Sequence, residues 1–429
     1  MAKTTSRAPR RAYVWAWLPG QTEQVLAGRI EAIATQSVPR ASRQRYRFRY
    51  SKKYLERTDA ISLFLPELPL GPDSIDPPDD MMMAGCLRDG SPDSWGQRVI
   101  IDRLTGKRGP EASEVILDEL TYLLESGSNR IGGLDFQSSS TEYVPRVTTA
   151  LLDELHEAAN ALQDGTLTPD LEIALAAGTA VGGARPKVLV ADGDTEYIAK
   201  FSTSSDTYSQ VKAEAAGLEL ARRVGISVPN SRITTSLDRD VLLITRFDRP
   251  GGRTRLMTIS ALTMLGFSDF LGARWSSYPE ILDVLRKFSA SGAGLGAELF
   301  ERIVLNILIG NTDDHARNHA AFWDGKNLEL TPAYDLCPQL RTGTEANQAM
   351  DIGRAPDTQS SGDRRSTRST CMAAASDYGL TPARAEEIFD RQVEIITESW
   401  DDVADAVRLT TREADAMWKR QILNPYALT

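Results

Sequence analysis

The alternation of hydrophobic and polar residues over the first 70 positions predicts a β-rich start to the chain. Three segments rich in apolar, aromatic and β-branched side chains are predicted strands: residues 12–18, 24–33 and 60–65. A fourth, residues 40–53 (RASRQRYRFRYSKK), alternates arginine with tyrosine and phenylalanine. That period is typical of a strand with an aromatic face in the core and a basic face in water. Contact with phosphates or with a partner protein stays open for this strand.

Further along, the apolar residues recur with the period of a helix. One helix is expected to begin at Asp93 or Ser94, because either side chain can cap it. Another should begin at Thr381, with Pro382 in the first helical position. The other predicted helices are residues 112–125, 151–163, 207–224, 281–288 and 297–309. His156 lies in the second of these and is expected to be a surface or hydrogen-bonded histidine rather than a ligand.

The most informative stretch is residues 299–338, where an apolar helix ends at Gly310 and Asn311. A short loop follows that is unusually rich in charged and amide side chains: Asp313, Asp314, His315, Arg317 and Asn318. Two apolar segments then flank the pair Asp324-Gly325, which predicts a β-hairpin. The hairpin should bring Asn318 and Asp335 to its open end.

An amide oxygen and a carboxylate at that end could together hold Mg²⁺, which takes only one or two oxygens from protein. Asp313 lies five residues before Asn318 and could orient a hydroxyl nucleophile or accept its proton. An Asp-x4-Asn pattern followed by an Asp beyond a hairpin is the arrangement of protein kinases. The alternative is that these Asp and Asn residues only fill turns, where their side chains satisfy local backbone groups.

A glycine-rich segment before residue 187 predicts a loop whose N–H groups could bind an anion: Gly178, Gly182 and Gly183. Lys187 follows the loop, and Lys200 lies on the second strand of a hairpin predicted around Asp192-Gly193. The loop matches neither GxxxxGK[ST] nor GxGxxG. An ordinary turn would therefore explain the glycines equally well.

Glu214 lies on the apolar side of the helix predicted over residues 207–224. Burying a carboxylate is costly unless a cation meets it. Lys200 is the expected partner, because kinases pair a strand lysine with a helix glutamate. The alternative places Glu214 at the rim of the helix, in solvent. Residues 241–247 (VLLITRF) predict a buried strand, which in a two-lobed kinase would run into the hinge that contacts adenine.

Composition and charge narrow the class of protein. The chain has 429 residues, 41% hydrophobic and 25% charged, which fits a soluble globular protein of two or three domains. No apolar run approaches the ~18 residues of a membrane span. The three cysteines lie far apart, which fits reduced thiols in a cytoplasm. A net charge of -10 argues against autonomous binding of nucleic acid over a broad surface.

These segments together resemble the HipA family of bacterial serine/threonine kinase toxins. The similarity rests on SPDSWGQR, NRIGGLDF, VGGARPK, YIAKF, ITRFDR, NTDDHARNH and LTPAYDLCP. The resemblance implies that ATP and Mg²⁺ are cofactors. It implies that Lys200 binds the nucleotide phosphates, that Asp313 is the catalytic aspartate, and that Asn318 and Asp335 are Mg²⁺ ligands.

The resemblance also implies a nucleotide-binding set around Lys200 and Glu214. It comprises a phosphate-covering loop (Val181, Gly182, Gly183, Ala184, Lys187), an adenine-contacting strand end (Thr245, Phe247) and a histidine that supports the catalytic loop (His315). Members of the family commonly carry a phosphorylatable serine before Val181. This chain has Ala180 there, with Thr179 beside it, so inhibition by serine phosphorylation is not expected and substitution by Thr179 stays open.

The implied fold is α+β: a two-lobed protein-kinase-like fold with a β-rich N-terminal subdomain and an all-helical C-terminal lobe. The expected parts are a disordered basic tail (1–11), the β-rich subdomain (12–136), a small kinase lobe (137–250) and the helical lobe (251–429). The implied activity is phosphorylation of a cytoplasmic protein, by resemblance an aminoacyl-tRNA synthetase, which arrests translation and growth.

The implied partner is a HipB-like helix-turn-helix antitoxin, with DNA contacted only through that antitoxin and no membrane involved. Two alternatives stay open. One is a small-molecule kinase of related fold, since surface loops rather than the phosphate site select the acceptor. The other is a catalytically silent partner in a complex of antitoxin and operator DNA.

Overall fold

A computed structural model describes most of the chain: residues 9–33, 44–78, 80–147, 150–164, 166–168, 171, 175, 185–202, 206, 208–341, 343–355 and 362–429. Most of the predicted phosphate-covering loop, with Val181, Gly182, Gly183 and Ala184, lies outside the described residues. The same holds for Gly178, Thr179 and Ala180 and for most of the predicted basic tail.

The strands, in chain order, are β1 (Arg11–Trp17), β2 (Gln24–Ala32), β3 (Tyr46–Tyr50), β4 (Leu134–Gln137), β5 (Lys187–Asp192), β6 (Thr195–Phe201), β7 (Ser231–Ser236), β8 (Arg239–Thr245), β9 (Thr258–Ser260), β10 (Ala320–Trp323) and β11 (Leu328–Leu330). They form three sheets, with the orders β3-β2-β1-β4, β5-β6-β8-β7 and β11-β10-β9.

The α-helices are α1 (Lys52–Leu55), α2 (Gly85–Arg88), α3 (Ser94–Thr105), α4 (Gly109–Ser113), α5 (Glu119–Glu125), α6 (Leu152–Asp164), α7 (Gln210–Val224), α8 (Ala261–Met264), α9 (Asp269–Trp275), α10 (Tyr278–Phe288), α11 (Leu295–Leu308), α12 (Arg368–Ala374), α13 (Pro382–Ala406) and α14 (Thr411–Met417). Asp93 caps α3 and Thr381 caps α13, as the sequence predicts.

The described chain divides into two compact units. The first lies within Met1–Thr203, Thr235–Ile259 and Trp323–Lys326, and the second within Ser204–Thr234, Ser260–Phe322 and Asn327–Thr429. The four-part division expected from the sequence stays a prediction. Among the residues described, no helix has both the length and the apolar character needed to cross a membrane.

The N-terminal sheet of the first unit confirms the strand predicted from alternating arginine and aromatic residues. Tyr46, Phe48 and Tyr50 on β3 are buried, whereas Arg47 and Arg49 reach the surface. Arg47 pairs with the exposed Asp76 at 2.9 Å. The period of two therefore places one face of β3 in the core and the other in water.

The core beside the second sheet is built from α3, α6 and the strands β5, β6 and β8 in the first unit. Val99, Leu155 and Phe201 are among its buried residues. His156 on α6 is fully buried and stacks on Phe201 with ring centroids 4.4 Å apart. Its Nδ1 lies 3.0 Å from the Ser236 hydroxyl, so it is a hydrogen-bonded core residue.

Two local predictions are wrong. Residues 60–65 are irregular rather than a strand, because tyrosine hydroxyls bond their backbone groups. Leu63 N donates to Tyr50 Oη at 2.9 Å, and Tyr54 Oη donates to Ile61 O at 2.8 Å. The helix predicted over residues 112–125 is split into α4 and α5, because Asp118 caps a new helix through Leu120 N.

The second unit is built around α11, whose large apolar residues after the first turn are fully buried: Leu299, Phe300, Ile303, Val304, Leu305, Ile307 and Leu308. The long helices α7 and α13 pack against each other, and α11 packs against α13. The hairpin predicted around Asp324-Gly325 is present as β10 and β11. The C-terminal part of the chain is thus helical apart from short strands, which include this hairpin.

Candidate active site

The loop from Asp313 to Asn318, called the Asp313–Asn318 loop below, is closed by its own hydrogen bonds. His315 N donates to Asp313 O at 2.9 Å, and Asn318 N donates to His315 O at 2.8 Å. The Asn318 side chain then returns to the start of the loop, where Nδ2 donates to Asp313 O at 3.0 Å. Asp313 and Asn318 are therefore held together, as the sequence predicts.

Asp335 lies in the same unit and has an unusual backbone conformation. Its φ of 59° lies in the left-handed region, which L-residues other than glycine seldom adopt. Asn311 Nδ2 donates to Asp335 O at 3.3 Å, and Cys337 N donates to the same oxygen at 3.1 Å. Strained backbone held by its surroundings is frequent at functional sites.

Electrostatics also link Asp313 and Asp335. Asp313 is exposed, yet the protein around it removes enough water to raise the pKa of its carboxyl. His315 opposes this shift, while the carboxylates of Asp335 and Asp314 add to it. Negative charge is therefore concentrated at this end of the loop.

The donor set fits Mg²⁺ better than a transition metal. Among the described residues, no group of three or more His, Cys, Asp or Glu side chains could hold a metal. Mg²⁺ does not need such a group, because it keeps several waters and takes one or two protein oxygens. Asn318 Nδ2 is used within the loop, so Oδ1 is the atom of that amide available to a cation.

The sequence did not predict the role of a buried carboxylate beneath the loop. Asp314 is 1% exposed, and its oxygens accept hydrogen bonds from Tyr278, Asn306 and His319. The second Asp of NTDDHARNH was visible in the sequence. Its partners Tyr278 on α10 and Asn306 on α11 could not be predicted, because nothing in the sequence pairs them with the loop.

His319 supports the loop by a side-chain hydrogen bond. Its Nε2 lies 2.9 Å from Asp314 Oδ2, and its carbonyl oxygen accepts from Ala261 N at 2.7 Å. His315 is half-buried, and within the described part of the chain its Nδ1 has no hydrogen-bond partner. The supporting role expected for His315 stays a prediction.

In the first unit, the strand register places two lysines opposite each other. Lys187 on β5 and Lys200 on β6 are cross-strand partners, so their side chains leave the same face of the sheet. Like charges in this arrangement are unfavourable unless an anion or a carboxylate compensates them. Lys187 is buried and Lys200 is half-buried.

The strand end expected to contact adenine is fixed by a buried ion cluster in the first unit. Arg246 Nε donates to Asp248 Oδ1 at 3.0 Å, and Arg249 Nη1 donates to Asp248 Oδ2 at 2.8 Å. Arg246 is therefore structural, while Thr245 and Phe247 on either side are half-buried. Their contact with adenine stays a prediction.

Glu214 is 5% exposed on α7, so it is buried and does not lie in solvent at the rim of the helix. One turn further along α7, Gly217 lies against the carbonyl of Leu336, the residue after Asp335. Tyr208 Oη also donates to Pro338 O at 3.2 Å. The segment that carries Asp335 therefore lies along α7 in the second unit. The pairing of Glu214 with Lys200 stays a prediction.

The fold and the loop together define a protein of the HipA-like class. Residues 179–400, more than half of the chain, match the model of the HipA-like C-terminal domain. The chain belongs to this family.

A solved structure of HipA from Shewanella oneidensis MR-1, in complex with HipB and its operator DNA, is similar with a TM-score of 0.63. The similarity covers 96% of this chain and 99% of that one, at 19% identity. The α+β fold class expected from the sequence is therefore confirmed.

A curated relative from Sinorhizobium fredii, named "Putative kinase Y4mE", is 22% identical over 200 residues. The match covers 45% of this chain and 47% of the relative, so the chain spans about half the length of the curated relative that it matches.

Proposed function

We propose that the chain is an ATP- and Mg²⁺-dependent protein serine/threonine kinase of the HipA toxin type. One observation supports this most directly: Asn318 is hydrogen-bonded to the backbone of Asp313, and the carboxylate of Asp335 acts electrostatically on Asp313. Two carboxylates and an amide side chain near one another are the groups that phosphoryl transfer requires. Membership of the HipA-like family gives the proposal its second support.

In this proposal, Asp313 is the catalytic residue that orients the acceptor hydroxyl and accepts its proton. The raised pKa of its carboxyl suits this role, because a carboxylate of higher pKa is a better proton acceptor. Asp313 is also exposed, so a protein side chain can reach it from solvent. Its contribution is mainly one of position, as in other phosphoryl transfers.

Lys200 is proposed to bind the nucleotide phosphates, with Lys187 contributing charge from the opposite strand. The loop of Val181, Gly182, Gly183 and Ala184 is proposed to cover the phosphates, and Thr245 and Phe247 to contact adenine. Glu214 is proposed to orient Lys200.

Asn318 and Asp335 would hold Mg²⁺ through their side-chain oxygens. When bound, the metal would neutralise charge on the transferring phosphoryl oxygens. The two carboxylates of Asp313 and Asp335 act on each other electrostatically, which favours a cation at this place.

The partner is proposed to be a HipB-like helix-turn-helix antitoxin, and the acceptor an aminoacyl-tRNA synthetase in the cytoplasm, whose phosphorylation arrests growth. The similar Shewanella structure contains HipB and operator DNA. The net charge of -10 fits contact with DNA through such a partner rather than directly.

The test is to incubate the purified chain and its Asp313→Asn variant with γ-labelled ATP and a bacterial lysate. Label in a protein band with wild type, absent with the variant, supports the proposal. Label only in metabolites would identify a small-molecule kinase instead. No label with either protein, while both still bind the antitoxin–operator complex, would identify a catalytically silent partner and overturn the proposal.

A further inference from the structure

A single buried carboxylate joins three parts of the second unit beneath the proposed catalytic residue. Asp314 follows Asp313 directly, but it is 1% exposed whereas Asp313 is exposed. One side chain thus faces solvent while the next is anchored in the core.

Three donors surround the Asp314 carboxylate. Tyr278 Oη at the start of α10 and Asn306 Nδ2 near the end of α11 each donate to Oδ2 at 2.7 Å. His319 Nε2, just after the loop, lies 3.0 Å from Oδ1 and 2.9 Å from Oδ2. Burial raises the pKa of Tyr278 well above its usual range, and Asp314 adds to the shift, so the hydroxyl stays a donor.

The same network continues to the second proposed metal ligand. Asn306 accepts at Oδ1 from Asn311 Nδ2 at 2.8 Å, and Asn311 Nδ2 also lies 3.3 Å from Asp335 O. Asn306 and Asn311 are both at most 1% exposed. Two amide side chains therefore connect the Asp314 carboxylate to the strained backbone of Asp335.

A buried carboxylate is expensive, and an apolar core would often be as stable. This one is fully hydrogen-bonded, and its partners come from two helices and from the end of the loop. A buried carboxylate held by three donors restricts the conformation of the groups attached to it.

We propose that Asp314 is a positioning residue: its carboxylate fixes the Asp313–Asn318 loop and, through Asn306 and Asn311, the backbone of Asp335. The effect of this residue on phosphoryl transfer rests on the proposed kinase function. Its effect on the conformation of the loop does not.

The first variant is Asp314→Asn, which keeps the shape of the side chain but gives it an NH2 group that faces three donors. With the kinase assay, kcat should fall about 10- to 100-fold, as for other residues that orient a catalytic group. The KM for ATP should change by less than about threefold, because the hydrogen-bond partners of the Asp314 carboxylate among the described residues, Tyr278, Asn306 and His319, are not groups proposed to bind the nucleotide. A residue that contributes only to stability would not lower the kcat of the folded fraction.

Rescue provides a sharper test. The single variant Asn306→Asp sets two carboxylates against each other and should also lower kcat. The double variant Asn306→Asp with Asp314→Asn reverses the hydrogen bond between the two positions and keeps an acceptor for Asn311. It should recover part of the lost kcat, and the coupling is read from the double-mutant cycle.

Asp351→Asn is the matched control. Asp351 lies in the same unit, is 4% exposed, and accepts from Arg364 Nε and from Gly362 N. The backbone of Asp351 accepts from Tyr278 N at 3.1 Å, and the substitution keeps that bond. It changes only a buried carboxylate whose hydrogen-bond partners lie outside the loop. It should lower stability and leave kcat within about twofold of wild type.

Amide hydrogen exchange gives a readout independent of activity. In Asp314→Asn, peptides covering residues 311–319 and 335–339 should exchange about tenfold faster or more, with no such change in Asp351→Asn. If Asp314→Asn does not fold, Tyr278→Phe removes one donor and should give smaller changes in the same peptides.

Unchanged kcat and unchanged exchange in a folded Asp314→Asn protein would overturn the proposal. If Asp314→Asn does not fold, unchanged kcat and unchanged exchange in Tyr278→Phe would overturn it. If wild type transfers no phosphate, the kinase proposal fails, and the exchange result alone decides whether Asp314 fixes the loop.

Discussion

Gly217 on α7 lies so close to the carbonyl oxygen of Leu336 that a β-carbon at position 217 would overlap it. Leu336 follows Asp335, so the close approach of helix and backbone sets the position of the proposed metal ligand. Glycine in a helix interior normally costs about 0.5–1 kcal/mol relative to alanine. Here the missing side chain makes room for a neighbouring main chain.

Gly217→Ala should therefore be destabilising, despite the higher helix propensity of alanine. The added methyl group meets a backbone carbonyl, which cannot rotate away as a side chain could, so overpacking of about 1–3 kcal/mol should exceed the gain in propensity. Urea unfolding measures the change. Gly71→Ala is the control, because its β-carbon would meet no atom within 4 Å. A variant more stable than wild type would show that the contact is not tight.

Asp248→Asn should destabilise the first unit by about 3–5 kcal/mol. Burial alone raises the pKa of Asp248, but Arg246 and Arg249 hold it far below its ordinary value, so the carboxylate is the counter-charge of two buried cations. Asp76→Asn removes the partner of Arg47 in an exposed pair and should cost at most about 1 kcal/mol. Equal losses in urea unfolding would contradict this ranking.

The stability of the first unit should depend on pH through His156. Burial lowers the pKa of His156 from its usual 6.5, and Arg239 acts in the same direction, while Asp153 and Ser236 oppose them. The unfolded chain therefore binds this proton more readily than the folded one. Its contribution to stability is complete above pH 6.5 and is lost as the pH falls below that value.

The measurement is urea unfolding at pH 7.5 and pH 5, for wild type and for His156→Gln. Glutamine can still bond Ser236 but does not titrate. The fall in unfolding free energy between the two pH values should be smaller in the variant. An equal fall in both proteins would show that His156 does not contribute to it.

Lys200→Met should weaken the binding of ATP but not that of adenosine. The proposed role of Lys200 is to bind phosphate, and adenosine has none. A charge-assisted contact of this kind contributes about 1.5–3 kcal/mol, which corresponds to about 10- to 150-fold in affinity. Calorimetric titration with both ligands measures the difference, and Lys326→Met on the exposed hairpin turn serves as the control. Equal losses for ATP and adenosine would contradict a phosphate contact.

The sequence was sufficient for features set by local chemistry. The alternation in β3, the hairpin turn at Asp324-Gly325 and the caps at Asp93 and Thr381 are all local signals, and all four are confirmed. The strand predicted over residues 60–65 is wrong, because the hydroxyls of Tyr50 and Tyr54 bond backbone groups of this segment.

The candidate site was predictable only in part. The spacing of Asp313 and Asn318 was sufficient to predict that the two residues lie close together. The network around Asp314 did not follow from spacing, because Tyr278 lies 36 residues before it and the contact depends on how two helices pack. The contact of His319 with Asp314 was likewise not predicted, although both residues lie in the same motif.

The most direct test of the account is the transfer of γ-phosphate from ATP to a protein acceptor by the purified chain, with and without Mg²⁺. Wild type should transfer phosphate only with the metal, and Asp313→Asn should be slower by about 10²- to 10⁴-fold, the usual contribution of a positioned proton acceptor. Asp76→Asn, remote in sequence and exposed, should match wild type. Transfer by Asp313→Asn at the wild-type rate, or no transfer by wild type, would contradict the account.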